Sequence, residues 1–130
     1  MRVRLGMLSA MTVMLALATP LSAHHSVSGQ FDSSKPIVLK GVVSKIDWMN
    51  PHVYIYLDVK EADGSVTTWA LSSLPTAMMR KAGLSKETLT GAPGETVTIN
   101  AVPARDGTKH LGWISKITYA DGHYFLLAGE

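Results

Sequence analysis

A small, mainly β domain is what the sequence predicts: five to six strands in a barrel-like arrangement, with one short helix between strands 3 and 4. Three observations carry that expectation. Short runs of alternating apolar and polar residues recur along the chain, as half-buried strands require. Glycine-containing turn pairs, Asp63-Gly64, Asp106-Gly107 and Asp121-Gly122, punctuate them. A single helical stretch interrupts the pattern after the third run.

The elements follow in order. Ile37 and Leu39 are apolar on odd positions, and Val42, Ile46 and Trp48 continue on even ones. That change of phase at Gly41 predicts a β-bulge, and Asn50-Pro51 ends the strand. His52 to Lys60 alternates cleanly, with Val53, Ile55, Leu57 and Val59 on one face and Tyr54, Tyr56, Asp58 and Lys60 on the other. Asp63-Gly64 marks a hairpin, and Val66 to Leu71 is its return strand.

Pro75 to Lys81 reads as a short helix with proline in its first turn and Gly83 as its stop. Ser85 to Leu89 is a candidate further turn capped by Ser85. Glu95 to Val102, His110 to Tyr119 and His123 to Leu127 complete the strands. The order β-β-β-α-β-β, with one terminal strand, is that of an OB-fold barrel. An open antiparallel sheet with one helix packed on it is the alternative.

Residues 1–23 read as a secretory signal. Arg2 and Arg4 form a positive start, Leu5 to Ala18 is almost wholly apolar, and Pro20 precedes the small residues Ser22 and Ala23. The apolar run falls short of the ~20 residues that span a bilayer. Cleavage after Ala23 leaves His24 first; cleavage after Ala18 leaves Thr19 first. The expected organisation is therefore a signal over 1–23, a polar leader over 24–36 and the β domain over 37–130. Its expected location is the periplasm or the secreted medium, with no transmembrane segment in the mature chain.

Charge is informative once that segment is set aside. The 130-residue chain has 12 Lys+Arg and 10 Asp+Glu, but Arg2 and Arg4 belong to the signal. Residues 24–130 then carry ten charges of each sign, so nucleic acid is not an expected partner. The chain has no cysteine, which excludes disulfide staples, thiolate metal sites and cysteine nucleophiles.

Three local signatures are His24-His25-Ser26 with Phe31-Asp32, Trp48-Met49-Asn50-Pro51-His52, and Ala104-Arg105-Asp106-Gly107. Through them the chain resembles an uncharacterised family of small exported bacterial proteins known only as a domain of unknown function. The resemblance implies export and a small β-rich domain, and no reaction. A looser likeness, of topology alone, is to the periplasmic OB-fold proteins of bacteria.

Two groups of residues are candidates for chemistry. His24-His25 at the new N-terminus joins an α-amine to imidazoles, a nitrogen set that suits Cu(II), and His52 is a candidate third ligand. The plainer possibility is a mobile polar tail, with His52 bonding its own turn. If Asp63-Gly64 is a two-residue turn, opposing positions sum to 127, and Tyr54, Tyr56 and Trp69 share the outer face. In OB-folds that face receives oligonucleotides or oligosaccharides. A covered second core layer is the competing reading.

No G-x-S-x-G, phosphate loop or H-E-x-x-H occurs, and Arg105-Asp106-Gly107 reads as a turn. The expected function is non-catalytic binding of a small ligand, glycan or periplasmic protein. A copper-handling protein and a protein-interaction module are the alternatives.

Overall fold

The computed structural model describes residues 26–127. A four-residue helix, α1 (Val27–Gln30), opens the described chain. Three strands follow: β1 (Ile37–Asp47), β2 (Tyr54–Lys60) and β3 (Val66–Ser72). Helices α2 (Thr76–Lys81) and α3 (Lys86–Thr90) lead to β4 (Thr96–Pro103), β5 (Leu111–Thr118) and β6 (Tyr124–Leu126).

The sheet runs β3-β2-β1-β4-β5-β6, and a parallel pairing of β3 with β5 closes it. Five strands thus form a closed barrel, with β6 added outside on β5. This is the OB-like arrangement expected from the element order, and the open sheet is excluded. Two helices, rather than one, fill the β3–β4 connection. Ser85 explains the second: its hydroxyl accepts from the Thr88 amide while the Thr88 hydroxyl accepts from the Ser85 amide.

Strand β1 departs from expectation in one detail. It pairs regularly with β4 through Gly41 and Val42, and its irregularity against β2 lies between Val43 and Lys45. Val43 and Ile46 point inward, while Val42 is only half-buried. The bulge therefore sits at Ser44, and Gly41 serves another purpose. A Cβ at Gly41 would collide with the Asp58 carbonyl oxygen and lie 3.1 Å from Leu57 Cγ. The glycine lets the bent strand press against β2 without a side chain between them.

The β2–β3 connection also differs. Lys60 pairs with Val66, so five residues, 61–65, form the loop, and opposing positions sum to 126. The Glu61 amide donates to the Ser65 carbonyl, and the Gly64 amide to the Glu61 carbonyl. Because strand faces alternate, that one-residue change turns Trp69 over. Trp69 pairs with Leu57 and packs partly buried against the core, away from Tyr54 and Tyr56.

The interior is aliphatic. Ile55, Leu57, Leu71, Val97, Ile99, Ile114 and Ile117 are fully buried, each such side chain contributing about 1.5–3 kcal/mol. Met79, Leu84 and Leu89 of the helical connection join the same core. Tyr119 ties α3 to the barrel by donating its hydroxyl to the Leu89 and Thr88 carbonyls, at 2.9 and 3.1 Å.

Burial pushes the Tyr119 phenol up to about 12, with the Glu95 charge adding to it. A phenol ionises above ~10 in the unfolded chain. The fold therefore favours the neutral form, and this contribution is complete below pH ~10 and lost as pH rises toward ~12. Melting curves are expected to show a drop in Tm across that window that is smaller in Tyr119→Phe. An identical drop in both proteins would remove Tyr119 as its source.

Candidate functional site

Four segments converge at one end of the barrel: the leader, the β1–β2 loop (48–53), the β3–α2 loop (73–75) and the β4–β5 loop (104–110). Strand register explains why. Tyr54 pairs with Ser72, and Ser72 pairs with Trp113, so the start of β2, the end of β3 and the start of β5 are neighbours.

The leader is docked, not loose. Phe31 is 5% exposed and bridges to Ala104, and its ring lies 5.9 Å from that of Trp113. Arg105 supplies three hydrogen bonds to leader backbone. Its amide donates to the Gln30 carbonyl at 2.8 Å, Nε to Ser28 and Nη2 to Phe31, both at 3.2 Å. The Asp32 amide adds a bond to the Pro103 carbonyl. The leader expected as a polar stretch over 24–36 therefore carries a core residue. Its isolated aromatic was the available signal.

His52 stands on the other side of Trp113. Its ring meets the indole edge-on at 5.4 Å. Nδ1 lies 2.9 Å from the Ser73 carbonyl. A carbonyl only accepts, so Nδ1 carries hydrogen and, in the neutral ring, Nε2 keeps the lone pair. A hydrogen bond of this kind also fixes the orientation of metal-ligating histidines. The Asn50–Pro51 peptide beside it is cis, and Asn50 Oδ1 accepts from the Thr76 amide and hydroxyl.

The remaining candidates are placed as follows. Tyr54 and Tyr56 lie half-buried on the outer face, ring centroids 6.5 Å apart. Trp69 is separated from them and meets the His110 ring edge-on at 5.3 Å. His110 and His123 are exposed, as solvated turn positions should be. Asp106 forms a turn, accepting from the Thr108 amide and hydroxyl, which hold its carboxyl below the usual range. Gly107 takes the positive φ of 83° that this turn needs.

Among the described residues, no group of three His, Asp or Glu side chains is arranged to hold a metal ion. His24 and His25 lie outside the described residues. A concavity of about 410 Å³ lies between the leader and the β4–β5 loop, lined by Gln30, Phe31, Arg105 and Leu111 among others. No described helix is long and apolar enough to cross a membrane.

Trp113 and Arg105 were not singled out from the sequence as site-forming. Arg105 stood in a quoted signature, but as a turn residue. Neither a curated protein nor a solved structure matches the chain. Residues 12–113 match the model of a family of unknown function (DUF6152), a span that includes the docked leader stem, His52 and the Arg105 turn, and the chain belongs to that family.

Proposed function

We propose that this chain is an exported, non-catalytic binding domain, and that its ligand is Cu(II), taken by His24 and His25 with help from His52. The observation that supports the metal reading most is the docked leader. Phe31 and Arg105 fix the chain six residues beyond His25 against the same indole that His52 touches. The chain that follows the two histidines is thus anchored from Ser28 onward. His52 adds a ring whose Nδ1 is already engaged, leaving Nε2 as the basic nitrogen.

With His24 first, the α-amine and imidazole close one chelate. The amine, the amide nitrogen of His25 and its imidazole close another. Both offer in-plane nitrogen donors, which Cu(II) favours more than Zn²⁺ does. Ligation requires deprotonated nitrogens, and free imidazole titrates near ~6.5, so binding weakens as pH falls from about 7 to 5.

The test joins intact mass and metal analysis of the exported protein to a Cu(II) titration. A mature chain beginning at His24 should bind Cu(II). His24→Ala/His25→Ala should abolish that binding, and His52→Ala should weaken it by roughly tenfold, the scale of losing one supporting ligand contact. Full affinity in the double variant, or a mature chain beginning at Thr19, would defeat the proposal.

A further inference from the structure

A second cleft lies away from the leader, where the helical connection meets the end of β1. Trp48, half-buried and the first residue after that strand, forms one wall. The turn between α2 and α3 forms the other. Thr76 and Met79 are the buried residues of α2, which leaves Arg80 on its outer side. Gly83, at a φ of 75°, then reverses the chain, and the Leu84 amide closes the reversal on the Met79 carbonyl at 2.9 Å. Buried Leu84 is thereby set against the cleft, with Ser85 and Lys86 opening α3 beside it. The space is about 320 Å³, lined by Trp48, Arg80, Leu84, Ser85, Lys86 and Glu87. That is the lower end of the range for small-molecule sites, room for one ring or a short alkyl chain.

The polar groups here divide into those already engaged and those that are not. The Ser85 hydroxyl accepts from the Thr88 amide. Glu87 is turned onto the start of its own helix, where its backbone amide, and then Ser85, hold its carboxyl below the usual range. Asp47, which also feels the Lys86 charge, is taken by Lys45 at 2.8 Å. Among the described residues, neither Arg80 nor Lys86 forms an ion pair. The Arg80 guanidinium stands instead over Trp48, 6.0 Å from the ring centroid.

Charge and shape together narrow the occupant. Two cations and one carboxylate line the cleft, a net charge of 2 − 1 = +1, which suits a monoanion. A dianion such as a phosphate monoester would bring its second charge against Glu87. A guanidinium is a flat fork that matches the two oxygens of a carboxylate. A carboxylate held on Arg80 places its attached carbons against the indole, where a wholly polar anion would gain nothing. We infer that this cleft binds a small apolar monocarboxylate, an aryl or medium-chain alkyl acid, with Arg80 and Lys86 on the carboxylate and Trp48 and Leu84 against the apolar body. The site shares no residue with the proposed copper ligands or with the Tyr54–Tyr56 face.

The test titrates the metal-free exported protein with octanoate and with 3-phenylpropionate, up to about 10 mM, where even a weak site fills. Amide and indole NMR signals are followed. Octanamide removes the charge, acetate removes the apolar body, and octyl phosphate replaces the monoanion with a dianion. At least one of the two acids should move the Trp48 indole signal and the amides of Leu84, Ser85 and Lys86, and should bind about tenfold more tightly than any comparator. Arg80→Gln/Lys86→Gln alters only exposed side chains. It should keep the folded spectrum and weaken binding by about tenfold or more, the scale of one lost charge-assisted hydrogen bond. Signals that stay still with both acids, shifts confined to residues outside the cleft, a comparator that binds as tightly, or unchanged affinity in the double variant would overturn the inference. Because no metal is present, the result stands apart from the fate of the copper proposal.

Discussion

Gly41→Val is expected to destabilise the domain by about 3 kcal/mol or more, the upper range for forcing atoms into a packed interior. The reason is contact between strands, not backbone strain. An added Cβ would collide with the Asp58 carbonyl oxygen and sit 2.9 Å from its carbonyl carbon. Neither atom belongs to a flexible side chain that can swing aside. Because β1 pairs with both β2 and β4, moving it at Gly41 disturbs two ladders at once. For a domain of this size, each kcal/mol shifts Tm by roughly 4–8 °C, so a fall beyond about 12 °C is expected. Gly41→Ala separates the causes, since alanine adds only the colliding atom. A thermal melt of Gly41→Ala that matches the parent would mean β1 can withdraw from β2 freely, which the barrel as described forbids.

The second large effect is expected from Phe31→Ala, at about 3–4 kcal/mol, the cost of emptying a buried aromatic site. Phe31 is nearly as buried as the aliphatic core, yet it lies six residues ahead of the first strand. Its loss should unseat the leader as well as destabilise the barrel. Urea denaturation measures the first effect. Amide exchange at Arg105 and Asp32, which donate to the Gln30 and Pro103 carbonyls, measures the second. A variant that keeps the parent's denaturation midpoint and protects those amides would show that the leader is held without its aromatic anchor.

Most of the architecture was legible because period-two alternation and turn chemistry are local signals. Val53 to Val59 and Val97 to Ala101 alternate without interruption, and each became a strand with the expected face inward. Element order pointed to a barrel and left an open sheet as the alternative, and the β3–β5 pairing decides between them. The errors arose where one residue of register decides a face. Asp63-Gly64 sits in the β2–β3 turn as expected, but the loop took five residues, so Trp69 joined Leu57 instead of the tyrosines. The phase change in β1 was real and displaced, because Gly41 suggested a bulge where its function is close approach.

The site was less legible, since its parts are distant in sequence and act through backbone. Tyr54, Tyr56 and His52 stood out in the sequence because their side chains suggest ligands. Arg105 went unrecognised because its partners are carbonyls of residues 28 and 31, which no residue identity advertises. Trp113 shares that problem. As an aromatic within a strand it reads as core, and only the parallel β3–β5 pairing turns it toward the leader and His52.

Arg105's grip on the leader has a consequence for how this segment can vary. Carbonyls are the same in every residue, so a clamp made on them is blind to the side chains it holds. What it measures is spacing: Ser28, Gln30 and Phe31 must arrive in phase, with the ring falling on Trp113. The leader is thus gauged like a ruler. Substitutions at Ser28 or Gln30 leave the gauge intact, whereas inserting or deleting one residue ahead of Phe31 changes how much chain lies between the anchor and whatever precedes it. Distance along the backbone, more than identity, is what these contacts hold fixed in this part of the protein.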